Sequence, residues 1–186
     1  MKLIALYSSG PRMGKSTCAK RLVDNHGFLC VSFASPIRHM VAQLLRDIGL
    51  TQDQVFYYVY GEGKDDNIEE IGTSARYLLR TLGTGWGRDM VRKDLWIIPM
   101  ARNVKTTVQE IGWPIVIDDM RFPQEFAWVR TAGGITVRIH RPELEGVNAG
   151  HASDGALDGM TFDYSFMDGN LQEALRGMDI IAGENA

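Results

Sequence analysis

The sequence predicts an α/β domain whose mainly parallel sheet is flanked by helices on both faces. Short apolar runs bounded by turn residues alternate with segments of helical periodicity along the whole chain. The first run, residues 3–7 (LIALY), leads through residues 8–11 (SSGP) into a helical pattern, as in a strand–turn–helix unit. Because helix-length connections separate the strands, parallel pairing with right-handed crossovers is expected. No internal repeat or linker is found, so residues 1–186 are expected to form a single domain.

The order of the elements follows from the same patterns. Gly27 is typical of the residue that ends a helix, and Pro36 is typical of a first helical turn. Two polar or glycine-rich segments, 61–66 and 83–88, are predicted as loops, and the tail after Met178 as a short strand or a frayed end. The predicted strands are 3–7, 28–33, 114–118, 135–140 and 164–167, and the predicted helices are about 14–25, 36–48, 52–60, 73–82, 94–105, 124–131 and 171–177.

Composition and charge limit the functional classes. The net charge is −3 and the sequence pI is near 5.8, so the chain has no overall basic excess of the kind that binds duplex nucleic acid. No apolar run reaches the roughly 18 residues that a membrane span needs, and the N-terminus lacks the layout of a signal peptide. The cysteines, Cys18 and Cys30, are expected to be buried thiols in a reducing compartment. We therefore expect a soluble cytoplasmic protein.

The strongest functional signal is the sequence GKST at residues 14–17, directly after an apolar strand and a turn. This context is that of a phosphate-binding P-loop, in which backbone N–H groups and a helix N-terminus face an anion. The usual spacing puts a glycine where Ser9 stands. The alternative interpretation is an ordinary turn followed by a helix with a solvated lysine. The predicted ATP-binding residues of the loop are Gly10, Pro11, Arg12, Met13, Gly14, Lys15, Ser16 and Thr17.

Four arginines in the middle of the chain are candidates for binding a second, smaller anion. Arg76 and Arg80 are four residues apart, so they share one face of a predicted helix. Arg88 ends the glycine-rich segment, and Arg38 lies near the start of an earlier helix, expected to face the same end of the sheet as the P-loop. Guanidinium groups suit bidentate binding of phosphate. The alternative is a solvated helix face followed by a glycine-rich connector.

A second polar cluster follows the predicted strand 114–118. Asp118, Asp119 and Arg121 come where that strand ends, and ligands bind outside the carboxyl ends of strands in parallel sheets. We expect Asp119 to face the P-loop and to hold Mg²⁺ through water. The alternative role of Asp119 is a helix N-cap, and Asp118 is the other candidate for holding Mg²⁺.

Five blocks in order give the chain its resemblance to a known family: SSGPRMGKST, SFASPIR, RYLLRTLGTGWGR, IDDMRFPQE, and GGITVRIHRP followed by HASD. Together they resemble the deoxynucleoside monophosphate kinases of bacteriophages, a branch of the P-loop nucleoside-monophosphate kinases. Ser35 and Asp154 depart from the family pattern, as does Ser9. The resemblance implies a P-loop kinase fold with an acceptor-binding helical insertion at about 36–105 and a lid-like loop at about 141–160.

The resemblance also implies an activity, namely transfer of the γ-phosphoryl group of ATP to a deoxynucleoside 5′-monophosphate. ATP and Mg²⁺ are then the expected cofactors, and small nucleotides in the host cytoplasm the expected substrates. A homodimer is a possible assembly, and no membrane partner is expected. His151 and Ser153 belong to the last block without an assigned role. The implied catalytic residues are Lys15, Asp119 and Arg121, the metal-binding residues Ser16 and Asp119, the acceptor-binding residues Arg38, Arg76, Arg80 and Arg88, and a further ATP-binding residue Arg141.

Two other functions compete with this interpretation. A related P-loop kinase could phosphorylate a hydroxymethylated base, such as 5-hydroxymethyluracil, within phage DNA. That function would need a basic and aromatic groove for a strand, and the net charge of −3 argues against it. A nucleotide-binding regulator without turnover would need no arginine cluster, so the arginines argue against it as well.

Overall fold

The computed structural model describes residues 2–10, 13–142, 155–167 and 170–184. The chain divides into two compact units, one made of Met1–Phe33 with Met100–Ala186 and the other of Ala34–Pro99. The expected helical insertion at about 36–105 overlaps the second unit. None of the helices in the described ranges is both long enough and apolar enough to cross a membrane.

The strands and helices that the sequence predicts occur in the predicted order, and two further short strands lie between the third and fourth helices. The strands are β1 (Leu3–Tyr7), β2 (Leu29–Val31), β3 (Asn67–Ile68), β4 (Thr73–Ser74), β5 (Ile115–Ile117), β6 (Ile135–Ile139) and β7 (Tyr164–Phe166). The α-helices are α1 (Lys15–His26), α2 (Ser35–Asp47), α3 (Gln52–Val59), α4 (Ala75–Arg80), α5 (Ile97–Val104), α6 (Pro123–Thr131) and α7 (Leu171–Glu184). Two π-helical segments continue α4 and α5, over Thr81–Val91 and Lys105–Ile111, and a 3₁₀ turn covers Gly63–Asp65.

A five-stranded parallel sheet organises the first unit. Its strand order is β2-β5-β1-β6-β7, and each neighbouring pair is parallel. β1 lies in the middle, where Ala5 aligns with Ile117 of β5 and with Thr136 of β6. This sheet confirms the predicted α/β class, and the short antiparallel pair β3-β4 lies in the second unit.

Helices cover both faces of β1, because alternate side chains of a strand point in opposite directions. Ile4 and Leu6 belong to a core cluster with buried residues of α1 and α7, among them Leu22 and Met178. On the opposite face, a side chain added at Gly134 would meet both Leu3 and Val129 of α6. The sheet is therefore enclosed between α1 with α7 on one side and α6 on the other.

The last helix is longer than the sequence suggested, and the prediction of a strand or a frayed tail after Met178 is wrong. Met178 and Ile181 are buried in the core at helical spacing. Asp179, on the same stretch, accepts hydrogen bonds from Arg21 at 2.7 Å and pairs with His26 at 2.8 Å. The Arg21 guanidinium, and secondly His26, hold the pKa of Asp179 well below its usual range. These contacts with α1 continue the helix to Glu184.

The glycine-rich segment 83–88 is helical, so its prediction as a loop is also wrong. It lies within the π-helix Thr81–Val91 of the second unit. The Trp96 indole N–H donates to the carbonyl of Gly83 at 2.8 Å, and a Cβ on Gly87 would lie 2.4 Å from the Trp96 ring. These glycines let the helix pack directly against a tryptophan, and that packing outweighs the low helix propensity of glycine.

The predicted polar loop at 61–66 contains a short turn held by side chains. The Tyr57 hydroxyl donates to Asp66 at 2.6 Å, and Arg76 binds Asp65 through two hydrogen bonds. Gly63 lies against the Tyr57 ring, where a Cβ would clash. In the same unit the Thr51 and Ser74 hydroxyls cap α3 and α4, which fixes where these helices begin.

The two thiols differ in exposure, which corrects the expectation that both are buried. Cys18 is fully buried between α1 and the sheet, and burial raises its pKa to about 11. Cys30 is exposed, because β2 is an edge strand of the sheet and its central side chain points away from the core.

Substitution of Gly87 by alanine tests the packing of the π-helix. Gly87→Ala is expected to lower the free energy of unfolding by about 1–3 kcal/mol, because the new methyl group overlaps the Trp96 ring. Gly85→Ala is the matched control: no atom lies within 4 Å of the position that its methyl group would take, so it should be neutral or stabilising by up to about 1 kcal/mol. Urea unfolding of both variants checks this, and equal effects would contradict the packing.

Thiol labelling tests the placement of the two cysteines. Iodoacetamide at pH 8 should modify Cys30 in the folded protein and spare Cys18, which is enclosed and protonated at that pH. Mass spectrometry of the intact protein should find one adduct under native conditions and two after denaturation in urea. Rapid labelling of both thiols in the native state would contradict the burial of Cys18.

Candidate phosphate-binding site

The end of β1 and the start of α1 are joined through one serine. The Lys15 ammonium donates to the Ser8 hydroxyl, which in turn donates to the carbonyl of Gly10 at 2.7 Å. Ser8 is buried and Lys15 is partly buried. The lysine side chain therefore folds back over the loop toward the strand end, and its charge is fixed beside the helix N-terminus.

Gly14 makes the turn into α1. Its φ of +100° is a left-handed conformation that side chains other than glycine rarely adopt, and an added Cβ would lie 2.9 Å from Leu171 of α7. The helix begins at Lys15, so the first backbone N–H groups of α1 have no partner within the helix. Ser16 and Thr17 are exposed on this first turn. A helix start of this kind attracts anions through its N–H groups and its dipole.

Asp119 follows β5 and binds the end of the neighbouring strand β2. Its carboxylate accepts hydrogen bonds from the Ser32 hydroxyl and, at 2.9 Å, from the backbone N–H of Phe33. The alternative role of Asp119 as an N-cap is wrong, because α6 begins only at Pro123. A carboxylate has about four lone-pair directions, so Asp119 can accept several hydrogen bonds at once. Asp118 is partly buried beside it.

Arg121 lies on a short connection between β5 and α6 that is fixed by a buried carboxylate. Glu125 is 1% exposed and accepts the backbone N–H groups of Arg121 at 2.7 Å and of Phe122 at 3.1 Å. The Arg121 side chain itself is exposed. Its backbone is thus held by the first turn of α6 while its guanidinium reaches the surface.

The polar residues that follow β1, β5 and β6 lie at one edge of the sheet. β1 is paired with both β5 and β6 in parallel, so Ser8, Asp119 and Arg141 follow strands that end side by side. Neighbouring strands are about 5 Å apart, within the span of a polyphosphate and its cation. The edge combines a lysine, a helix N-terminus and carboxylates, which suits an anion accompanied by a divalent metal.

The oxygen donors of this edge fit Mg²⁺. The Ser16 hydroxyl and the carboxylates of Asp118 and Asp119 are hard ligands, which Mg²⁺ prefers. Across the described ranges, no three His, Cys, Asp or Glu side chains gather into a metal site of their own. A nucleotide-bound Mg²⁺ needs only one or two protein oxygens besides phosphate and water.

The predicted acceptor-binding arginines lie in the second unit, and their surroundings differ. Arg38 is partly buried in the first turn of α2, and Arg80 is exposed at the end of α4. Arg76 is exposed on α4 and binds Asp65, which holds the pKa of that carboxyl below its usual range. Arg88 is 9% exposed and donates to the carbonyl of Lys93 at 3.1 Å. Its role as an acceptor ligand stays a prediction, as do those of the other three.

Some predicted site residues lie outside the described ranges, and some residues that hold the site together were not predicted from the sequence. Pro11, Arg12, His151 and Ser153 belong to the first group. Ser8 and Glu125 belong to the second, together with Ser32. Glu125 stands three residues after Phe122, which is the spacing of a capping box and could have identified its contact with the helix start.

Comparison with known proteins gives one curated relative. The chain is 28% identical over 155 residues to a protein of Acanthamoeba polyphaga mimivirus named "Putative deoxynucleotide monophosphate kinase", and the match covers 77% of this chain and 76% of that protein. No protein-family model matches the chain. The similarity confirms the resemblance found in the motif blocks and supports the prediction that the chain is a kinase.

Two solved structures align with this chain over most of its length. One is the unliganded crystal structure of a sugar kinase from Janibacter sp. HTCC2649, with 12% identity and a TM-score of 0.47, covering 95% of this chain and 91% of that one. The other is described as a "putative kinase" from Chloroflexus aurantiacus, with 11% identity and a TM-score of 0.47, covering 100% and 97%. Structural similarity at this level does not indicate which substrate this chain uses.

Removal of the Glu125 carboxylate tests how the Arg121 connection is held. Glu125→Ala is expected to lower the free energy of unfolding by about 1–3 kcal/mol, because two backbone N–H groups lose their buried acceptor. Glu173→Ala is the matched control, an exposed acid in the first turn of α7 that should change stability by less than about 1 kcal/mol. Chemical denaturation of both variants measures the difference. Equal stability of the two would mean that Glu125 does not hold this connection.

Proposed function

We propose that the protein transfers the γ-phosphoryl group of ATP to the 5′-phosphate of a deoxynucleoside monophosphate, giving ADP and a deoxynucleoside diphosphate. The observation that carries the proposal is the position of Lys15. It lies at the start of α1 with its ammonium on Ser8, on the same sheet edge as Asp119. The named relative and the motif blocks point to the same reaction.

In this proposal the donor phosphates bind across the start of α1. The N–H groups of the first helical turn donate to phosphate oxygens, and the Lys15 ammonium leaves Ser8 to contact the β- and γ-phosphates. Gly14 allows the backbone to approach a phosphate because it carries no side chain. Bound Mg²⁺ would neutralise part of the phosphate charge, with Ser16 as a direct ligand and Asp119 acting through water.

The chain's own residues contribute positioning and charge rather than covalent chemistry. Phosphoryl transfer needs the acceptor oxygen, phosphorus and leaving oxygen in line, and it spreads negative charge over the equatorial oxygens. Arg121, exposed on a connection whose backbone Glu125 fixes, is our candidate for stabilising that charge. Arg141, after β6, is a candidate for binding the donor.

For the acceptor phosphate we propose the arginines of the second unit. Arg80 is exposed and Arg38 is partly buried, and Arg76 already holds a carboxylate in a two-point geometry that also fits phosphate. Arg88 is the most enclosed of the four and donates to a backbone carbonyl, so we propose that it also stabilises the local fold.

A kinase acting on hydroxymethylated bases in DNA is the alternative with the same donor chemistry. Phe56 on α3 and Tyr60, the residue that directly follows α3, are exposed and stacked aromatic side chains of the kind on which single-stranded bases stack. The acidic net charge favours the free nucleotide. A third candidate function is that of a regulator that binds nucleotide without turnover.

A substrate panel separates these functions. ADP release from ATP and Mg²⁺ is measured in a coupled assay with dTMP, dGMP, dAMP, dCMP, a hydroxymethylated deoxynucleotide, and single-stranded DNA containing 5-hydroxymethyluracil. The proposal expects acceptor-dependent ADP release with at least one free monophosphate. Release only with the DNA would establish the alternative acceptor, and ATP binding with no acceptor-dependent release would establish the regulator.

Replacement of the P-loop lysine tests the donor site. Lys15→Ala should lower kcat by at least about a hundredfold, because charge on the transferring group loses its nearest cation. Lys20→Ala is the matched control on the next turn of α1, where the lysine is exposed and pairs with Asp24. That surface pair contributes little, so activity should stay near the wild-type value. Equal activities of the two variants would remove Lys15 from the mechanism.

A further inference from the structure

Among the enclosed polar atoms that have no hydrogen bond in the described part of the chain are two that follow the ends of β1 and β6. They are the Ser9 hydroxyl oxygen and the Nδ1 atom of His140. His140 is 8% exposed, so its ring is almost entirely enclosed. Enclosed polar atoms without a hydrogen bond are uncommon in proteins and call for an explanation.

The pairing of β1 with β6 carries these two residues toward each other. Tyr7 aligns with Arg138, and the Arg138 guanidinium lies 6.0 Å from the centre of the Tyr7 ring, so both side chains are on the same face of the sheet. His140 follows Arg138 by two residues and so continues on that face, while Ser9 follows Tyr7 by two residues in the bend after β1. The backbone N–H of His140 still donates to Phe166 of β7, so the extended course of β6 continues through it. Ser9 lies in a bend, and its hydroxyl does not reach the imidazole here.

The two atoms are chemically complementary. A serine hydroxyl donates a hydrogen bond, and Nδ1 of a neutral imidazole accepts one when the ring proton is on Nε2. We propose that Ser9 donates to Nδ1 of His140 when the loop has bound a nucleotide, and that both are positioning residues for the donor phosphates. The proposal rests on the proposed function, since it assigns this pair to the ATP-binding state.

This pair also explains why serine stands at a position where the P-loop motif has glycine. Ser9 directly precedes Gly10, whose carbonyl accepts a hydrogen bond from the Ser8 hydroxyl, so Ser9 is part of the turn that follows β1. A hydroxyl held by the neighbouring strand would fix the first residue of the loop in the bound geometry. If serine were merely tolerated, glycine would serve at least as well. The two explanations therefore predict opposite results for Ser9→Gly.

The test is the affinity for ADP, measured by isothermal titration calorimetry in the presence of Mg²⁺. Ser9→Ala, Ser9→Gly and His140→Phe should each weaken ADP binding by about tenfold, which corresponds to about 1.4 kcal/mol. His140→Asn should bind close to wild type, because its side-chain oxygen can accept in place of Nδ1. The double variant Ser9→Ala with His140→Phe should be no weaker than either single variant, since both remove the same bond. Ser165→Ala, an exposed serine on β7, is the matched control.

Turnover separates positioning from a general loss of structure. At saturating ATP, Ser9→Gly should keep kcat within about twofold of wild type while its KM for ATP rises about tenfold. Ser9→Gly that binds ADP as tightly as the wild type, or additive losses in the double variant, would overturn the inference while leaving the proposed function intact. Failure of the wild-type protein itself to bind ADP would instead overturn the proposed function. Melting temperatures of all variants identify any loss caused by unfolding, and the Ser9 variants decide the matter if His140→Phe does not fold.

Discussion

The parallel pairing of β1 with both β5 and β6 is the constraint on which the functional edge depends. Parallel neighbours bring their carboxyl ends to one edge, so residues far apart in sequence, such as Ser8 and Asp119, follow strands that end together. β1 is buried along its whole length, and a shift of one residue in its register would move its apolar side chains to the wrong faces. The hydrophobic core therefore determines which polar residues meet at the edge.

Partly buried hydrogen bonds hold this edge before any ligand binds. Asp119 ties β5 to β2, Glu125 holds the backbone at Arg121, and Ser8 receives Lys15. Each bond fixes a group that would otherwise lose conformational freedom on binding, and groups fixed in advance lower that cost. Ser9 and His140 differ from these residues because their enclosed atoms have no such bond in the described chain. The bound state that we propose supplies one more hydrogen bond, from Ser9 to His140.

Much of the fold follows from local sequence signals. The apolar runs, Gly27 as a helix end and Pro36 as a helix start give the alternation of strands and helices and most of their bounds. The turn from β1 into α1 could be predicted because its residue types are adjacent in the chain, and the position of Asp119 because a strand end precedes it. These are features in which short-range sequence and tertiary structure agree.

The features that could not be predicted depend on contacts between distant residues. The segment around Gly87 has the composition of a loop, but Trp96 packs into the space that its missing side chain leaves. The end of α7 has no clear stop signal, and its length is set by burial of Ile181 and by Asp179 meeting α1. Cys30 is exposed because β2 is at the sheet edge, a position that sequence periodicity does not reveal. In each case tertiary packing outweighs local propensity.

The central claim is that the edge beside α1 binds the phosphates of a nucleotide. The most direct measurement is a calorimetric titration of the wild-type protein with ADP, with and without Mg²⁺. We expect a single site with a dissociation constant of about 1 mM or tighter that weakens when Mg²⁺ is removed. A protein that stays folded and yields no binding isotherm with ADP in either condition would contradict the claim.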